Sequence, residues 1–197
     1  MTDVAERPAQ VQELFEESPT RIFPAAYGQV NALAQCVLPD GSVVLASAGA
    51  DGTVRLWDPA DQSRVGQPMT GHTDWVRAVT AVTVGGRALL ASAGDDGTVR
   101  LWDPADQRPV GQPMTGHTRW VLGLAAVTIG GRALLASGGS DGTVRLWDPA
   151  DQTQVGQPMT GHTGSVWAVT AVTVDGRALL ASAGDDRTVR LDRKSVV

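Results

Sequence analysis

TVRLWDPADQ occupies residues 53–62, and the same ten letters return at 98–107 and 143–152. Working outward, the flanking motifs keep the same step. Leu-Trp-Asp starts at Leu56, Leu101 and Leu146; Gly-His at Gly71, Gly116 and Gly161; Asp-Gly at Asp51, Asp96 and Asp141. Every spacing is 45 residues, and residues 56–100 match 101–145 at 35 of 45 positions. Such closeness points to recent duplication. A fixed period of this length makes each unit one supersecondary element that buries its apolar faces against its neighbours.

Each unit reads as four short strands. WVRAVTAVTV at 75–84 is rich in β-branched residues and follows Gly-His. Gly85-Gly86 signals a tight turn. RALLASAG at 87–94 is a run of small and apolar residues, the mark of a strand covered on both faces. Asp95-Asp96-Gly97 turns again, and TVRLWD at 98–103 is the third strand. PADQ is a loop, because Pro104 cannot continue a central strand. PVGQPMT at 109–115 carries a proline, which suits an outer edge strand.

Four antiparallel strands per unit, punctuated by Gly-His and Trp-Asp, resemble the WD-repeat (WD40) β-propeller family. The resemblance covers residues 20–191 and implies an all-β fold: a partial β-propeller, an open arc of about four four-stranded antiparallel blades. The blades fall at about 29–70, 74–115, 119–160 and 164–191. In the first, Ala26-Tyr27 stands where Gly-His is expected. The last begins Thr188-Val189-Arg190-Leu191 and then has Asp192 in place of Trp. TRIFPA at 20–25 lies in the register of the outer strand, and family members often complete their last blade with such an N-terminal strand. Residues 1–19 lie outside the repeat, either disordered or as a short helix with Val11, Leu14 and Phe15 on one side. The family's rings usually have about seven blades. Residues 192–197 are unrelated to the repeat and are similar to the translation of a common sequencing adapter. The expectation is a truncated member of the family, resembling larger bacterial ones, whose array runs on into further repeats.

Composition narrows the function. A net charge of −5 with no basic stripe argues against nucleic acid as a partner. No apolar run is long enough to span a membrane, and the N-terminus has no signal-peptide core, so the expected location is cytoplasmic. The single cysteine, Cys36, sits in an apolar run and reads as a buried thiol. No His or Cys pair has metal-ligand spacing, and Gly-Gly-Arg at 85–87 and 130–132 is a hairpin turn, not a phosphate cradle. No metal, cofactor or catalytic residue is expected.

Each unit does hold a Ser, a His and an Asp: His72, Ser92 and Asp96; His117, Ser137 and Asp141; His162, Ser182 and Asp186. Three copies of one constellation argue against an active site. The resemblance implies that these residues, with Trp102 and Trp147, form buried hydrogen-bond chains within blades. The fourth unit lacks its Trp and has Arg187 after Asp186, so its chain is expected to be the weakest.

The informative positions vary while the frame repeats. After Gly-His-Thr the units read Asp74-Trp75-Val76-Arg77, Arg119-Trp120-Val121-Leu122 and Gly164-Ser165-Val166-Trp167; before the turn Asp they read Asp95, Ser140 and Asp185. In the family these places lie on the narrower top face, where partners dock. Two readings stand. Trp75, Arg77, Asp95, Trp120, Leu122, Ser140, Trp167 and Asp185 form a surface that binds a protein or peptide. Alternatively they reflect drift after duplication, with Trp75 and Trp120 packed between blades. The expected function is therefore a non-catalytic scaffold for protein–protein interaction. The alternative is a self-assembling module, a homo-oligomer whose open blade ends pair with another copy or with missing repeats.

Overall fold

The structure, a computed structural model, describes residues 28–175 and 177–192. Residues 1–19, read as disordered or a short helix, the expected outer strand at 20–25, the Ala26-Tyr27 pair and tail residues 193–197 lie outside them. The described residues form four antiparallel sheets, each in sequence order. The first holds β1 (Val30–Val37), β2 (Val43–Gly49), β3 (Thr53–Trp57) and β4 (Arg64–Thr70). The second holds β5 (Val76–Val84), β6 (Arg87–Gly94), β7 (Val99–Asp103) and β8 (Arg108–Met114). The third holds β9 (Val121–Ile129), β10 (Arg132–Gly139), β11 (Val144–Asp148) and β12 (Thr153–Met159). The fourth holds β13 (Val166–Val174), β14 (Arg177–Gly184) and β15 (Val189–Asp192). This is an all-β, open propeller-like arc of blades. Asp192, expected to lie beyond the array, pairs with Leu180 as the last residue of β15.

The chain meanders because its turn residues supply the required backbone. Gly85 and Gly86 both take positive φ (56° and 80°), the geometry of a two-residue hairpin turn. The second strand of each blade is sandwiched. From Leu89 to Gly94, β6 is buried on both faces, and its alanines let neighbouring sheets approach.

The apolar cores lie between blades. Val44, Ala46, Val54, Leu56 and Met69 of the first blade pack on Val76, Val79, Leu90 and Trp102 of the second. Val82, Leu89, Val99, Leu101 and Met114 then pack on Val121, Leu135 and Trp147 of the third. Val127, Leu134, Val144, Leu146 and Met159 pack on Val166, Val169 and Leu180 of the fourth. Each blade therefore has two distinct faces, and one kind always meets the other. Fully burying a Val or Leu side chain is worth about 1.5–3 kcal/mol, so stability accumulates interface by interface.

The outer strands add a polar lock. Between Val99↔Met114 and Leu101↔Val110 the register slips, so Gly111-Gln112-Pro113 bulges out of the ladder. Gln152, from the next blade's Pro-Ala-Asp-Gln loop, docks on that bulge. Its Nε2 donates to Val110 C=O (2.9 Å), and its Oε1 accepts from Gln112 N–H (2.8 Å). The loop residue takes left-handed backbone (φ 57°) to reach it. The sequence marks this stretch as a loop and carries no sign of the docking.

Candidate functional site

The repeated Ser, His and Asp come together in every complete unit. His72 lies 2.8 Å from Asp96 through Nδ1 and 2.7 Å from Ser92 through Nε2, and Trp102 Nε1 donates to Ser92 Oγ at 2.7 Å. The third blade repeats this with His117, Asp141 (3.0 Å), Ser137 (2.8 Å) and Trp147 (2.8 Å). The proton positions follow from chemistry. An indole N–H only donates, so the Ser oxygen accepts it and turns its own O–H toward His Nε2. The other ring nitrogen then carries the proton and donates to the carboxylate. The result is a one-directional chain from the third strand, through the second, to the Gly-His segment before the first.

This arrangement resembles a catalytic triad in topology alone. Ser92 and Ser137 are fully buried, and each oxygen is already engaged by an indole. A nucleophile must be reachable by its substrate, and these hydroxyls are not. The chain instead ties three segments of a blade together. Gly71 lets the Gly-His segment approach: a Cβ there would stand 3.1 Å from the Trp102 ring.

The carboxylates are held ionised. Burial works against the Asp96 charge, but hydrogen bonds from His72 and Thr98 outweigh it and lower the carboxyl to about 2. Burial likewise opposes the charge on Asp141, and Thr143, His117 and the backbone at Thr118 hold it below the usual carboxylate range. Burial pushes His117 below its ordinary value of 6.5; Asp141 opposes the shift and Arg145 adds to it. The ring is therefore neutral at pH 7, as its accepting Nε2 requires.

The end blades depart from the pattern. In the first, Trp57 still donates to Ser47 (2.8 Å), while Asp51 pairs with Arg55 at 2.7 Å. In the fourth, His162 keeps Asp186 (2.9 Å) and Ser182 (2.9 Å). Asp192 holds the strand register that Trp102 holds in the second blade, so the sequence supplies no indole there.

The variable residues gather on the rim at one end of the blades. There the backbone makes the same tie three times: Asp95 N–H to Trp75 C=O, Ser140 to Trp120, and Asp185 to Ser165. This tie sets positions 77, 122 and 167 beside 95, 140 and 185. Arg77 grips Asp95 with two hydrogen bonds (2.8 and 2.6 Å), and its guanidinium sits 4.6 Å from the Trp75 ring centre. Trp167 Nε1 donates to Asp185 at 2.5 Å. Leu122 and Ser140 make no such bond. Trp75, Trp120 and Trp167 are all exposed, the last two at 51% and 53%, so Trp75 and Trp120 are not packed away between blades.

A pocket of about 550 Å³ opens where the second, third and fourth blades meet. Trp120, Leu122, Ser140, Trp167 and Asp95 line it; Trp75, Arg77 and Asp185 do not. Arg119 and Ser165 also line it; they belong to the same variable stretches but are not among the expected binding residues. Their signal is the change from Asp74 to Arg119 to Gly164 at one repeat position and from Trp75 and Trp120 to Ser165 at the next. Among the described residues, no cluster of His, Cys, Asp or Glu could hold a metal, and no helix is long and apolar enough to cross a membrane.

Comparison with known proteins gives a consistent result. A 38-residue stretch is 47% identical to the WD repeat and SOCS box-containing protein 1 of Danio rerio, covering 19% of this chain and 9% of that protein. The WD40 family, described as "WD domain, G-beta repeat", matches at 17–58, 63–103, 108–148 and 153–191. Each later match begins in the outer strand of one blade and ends at the third strand of the next, so every sequence repeat stitches two blades together. WD repeats generally serve as non-catalytic scaffolds that bind proteins or peptides. With four matches spanning most of its length, the chain belongs to the WD40 repeat family.

Proposed function

We propose that this chain is an interaction scaffold that receives a protein or peptide segment on the rim, at the pocket between its second, third and fourth blades. The observation that carries this reading is the pair Trp120 and Trp167. Both are more than half exposed, and both line the same hollow with polar groups around them. Large aromatic side chains held in the open on a rigid sheet are the residue type that dominates binding energy at interfaces. The test is a peptide-display selection against the immobilised protein. Enriched sequences should lose binding to Trp120→Ala and Trp167→Ala variants that keep the wild-type circular dichroism. Binding that persists in both variants sinks the reading.

A second reading concerns assembly. On the outward face of the fourth blade Val189 and Leu191 are 74% and 51% exposed, whereas the equivalent Val99 and Leu101 are at 0% and 2%. In the arc that kind of face meets the opposite kind on the next blade. Another repeat, from a second copy or from further repeats, would cover it by the same packing. Sedimentation over a dilution series tests the second-copy form. A monomer at all concentrations, unchanged by Leu191→Glu, removes it.

A further inference from the structure

Resting on that pocket reading, we infer that the segment it takes is acidic with one apolar anchor. An aliphatic or aromatic side chain seats on Leu122 between Trp120 and Trp167, with a carboxylate beside it on Arg119. The pocket exists because of a double change at the rim. In the second blade the corresponding space is spanned by Arg77 and Asp95, joined through two of the three guanidinium nitrogens, Nε and Nη2. In the fourth it is spanned by Trp167 and Asp185. The third blade has replaced both members, with Leu122 at 7% exposure and Ser140 at the position of the aspartate. Two short uncharged side chains leave a hollow with an apolar floor.

Charge selects the ligand. The carboxylates at the pocket are committed: Asp95 to Arg77, and Asp96 to Arg100 at 3.8 Å, with hydrogen bonds from His72 and Thr98 besides. Arg119 has no ion pair among the described residues, so the uncommitted charge at this pocket is positive. A lysine or arginine from a partner would have to displace Arg77 from Asp95 and would face Arg119 at close range. A carboxylate meets neither obstacle. Guanidinium also pairs with carboxylate through two parallel hydrogen bonds, which fixes orientation as well as sign. The chain as a whole carries −5, so the preference acts at contact range and not through long-range steering.

The experiment uses the full chain and fluorescence polarisation with three labelled peptides: Gly-Glu-Glu-Leu-Glu-Gly, the same with lysine for each glutamate, and the acidic peptide with alanine for leucine. The acidic leucine peptide should bind best. Arg119→Glu should weaken it by about 10-fold or more, while Arg108→Glu, an equal charge change on an outer strand, should not. The double variant Leu122→Arg/Ser140→Asp should abolish binding. It transplants the pair that the second blade already accommodates, so thermal unfolding should stay near wild type. Tighter binding of the lysine peptide, lost in Trp120→Ala, overturns the acidic assignment and leaves the rim reading standing. Equal effects of Arg119→Glu and Arg108→Glu also overturn it. Binding of no peptide, or binding indifferent to Trp120→Ala, overturns both.

Discussion

The side-chain amide of Gln107 lies across Gly66 of the preceding blade. It donates to Val65 C=O at 3.0 Å and accepts from Gln67 N–H at 2.6 Å, as Gln152 does across Gly111. A Cβ on Gly66 would fall on that amide, and its φ of +64° disfavours any side chain. Gly66→Ala is therefore expected to destabilise by about 1–3 kcal/mol, combining strain with lost hydrogen bonds. Gln107→Ala alone should cost about 1 kcal/mol. In the double variant the clash is gone, so the two losses should sum to less than their parts. Urea unfolding of the four proteins completes the cycle. Simple additivity would mean that the amide does not hold this position.

Removing the head of a hydrogen-bond chain should be costly even where shape is kept. Trp102→Phe leaves buried Ser92 without its indole donor, and a loss of about 1–3 kcal/mol is expected. Trp75→Phe, on the exposed rim, should change stability by less than about 0.5 kcal/mol. Thermal unfolding of the two variants compares them directly.

The turn before β15 carries a repairable strain. Arg187 takes φ 62°, where the equivalent Gly97 and Gly142 take 74° and 76°. A non-glycine residue in left-handed backbone costs about 1–2 kcal/mol. Arg187→Gly should recover up to about 1 kcal/mol, less the entropy that glycine gains in the unfolded chain. Hydrogen exchange at β14 and β15 should slow in that variant.

Acid should unfold the protein in two stages. The folded state holds His117 below 6.5, so the unfolded chain binds more protons there. The stability from neutral His117 is complete above pH 6.5 and is lost as pH falls from 6.5 toward its folded value. Asp96 and Asp141 are held below 3.8, so their contribution is complete above that pH and is lost below it, for Asp96 toward about pH 2. Melting temperature followed from pH 8 to 2 should fall in both windows. His117→Asn, which cannot take up the proton, should flatten the first.

Much of the fold is legible in the letters. The 45-residue period, the Gly-Gly and Asp-Gly turns and the sandwiched Ala-Leu-Leu-Ala-Ser run lead to four sheets in sequence order, with a proline in the outer strand of each of the first three. The site was legible only in part. Variation at 77, 122 and 167 and at 95, 140 and 185 picks out the rim, but nothing in the letters pairs Arg77 with Asp95 or tells Trp120, which lines the pocket, from Trp75, which does not.

The resemblance to the WD-repeat family implied the members of each Ser–His–Asp–Trp chain; by itself the sequence determined what is local and repeated, strand order and turn positions. These follow from a period that places the same chemistry at the same backbone position in every blade. Only the tertiary structure decided what lies between blades: which face meets which, the docking of Gln107 and Gln152 on the preceding outer strand, and the pocket that Leu122 and Ser140 leave open. The glutamine contacts join residues 42 positions apart, and the strength of all of them depends on distance and burial, which a linear pattern does not carry.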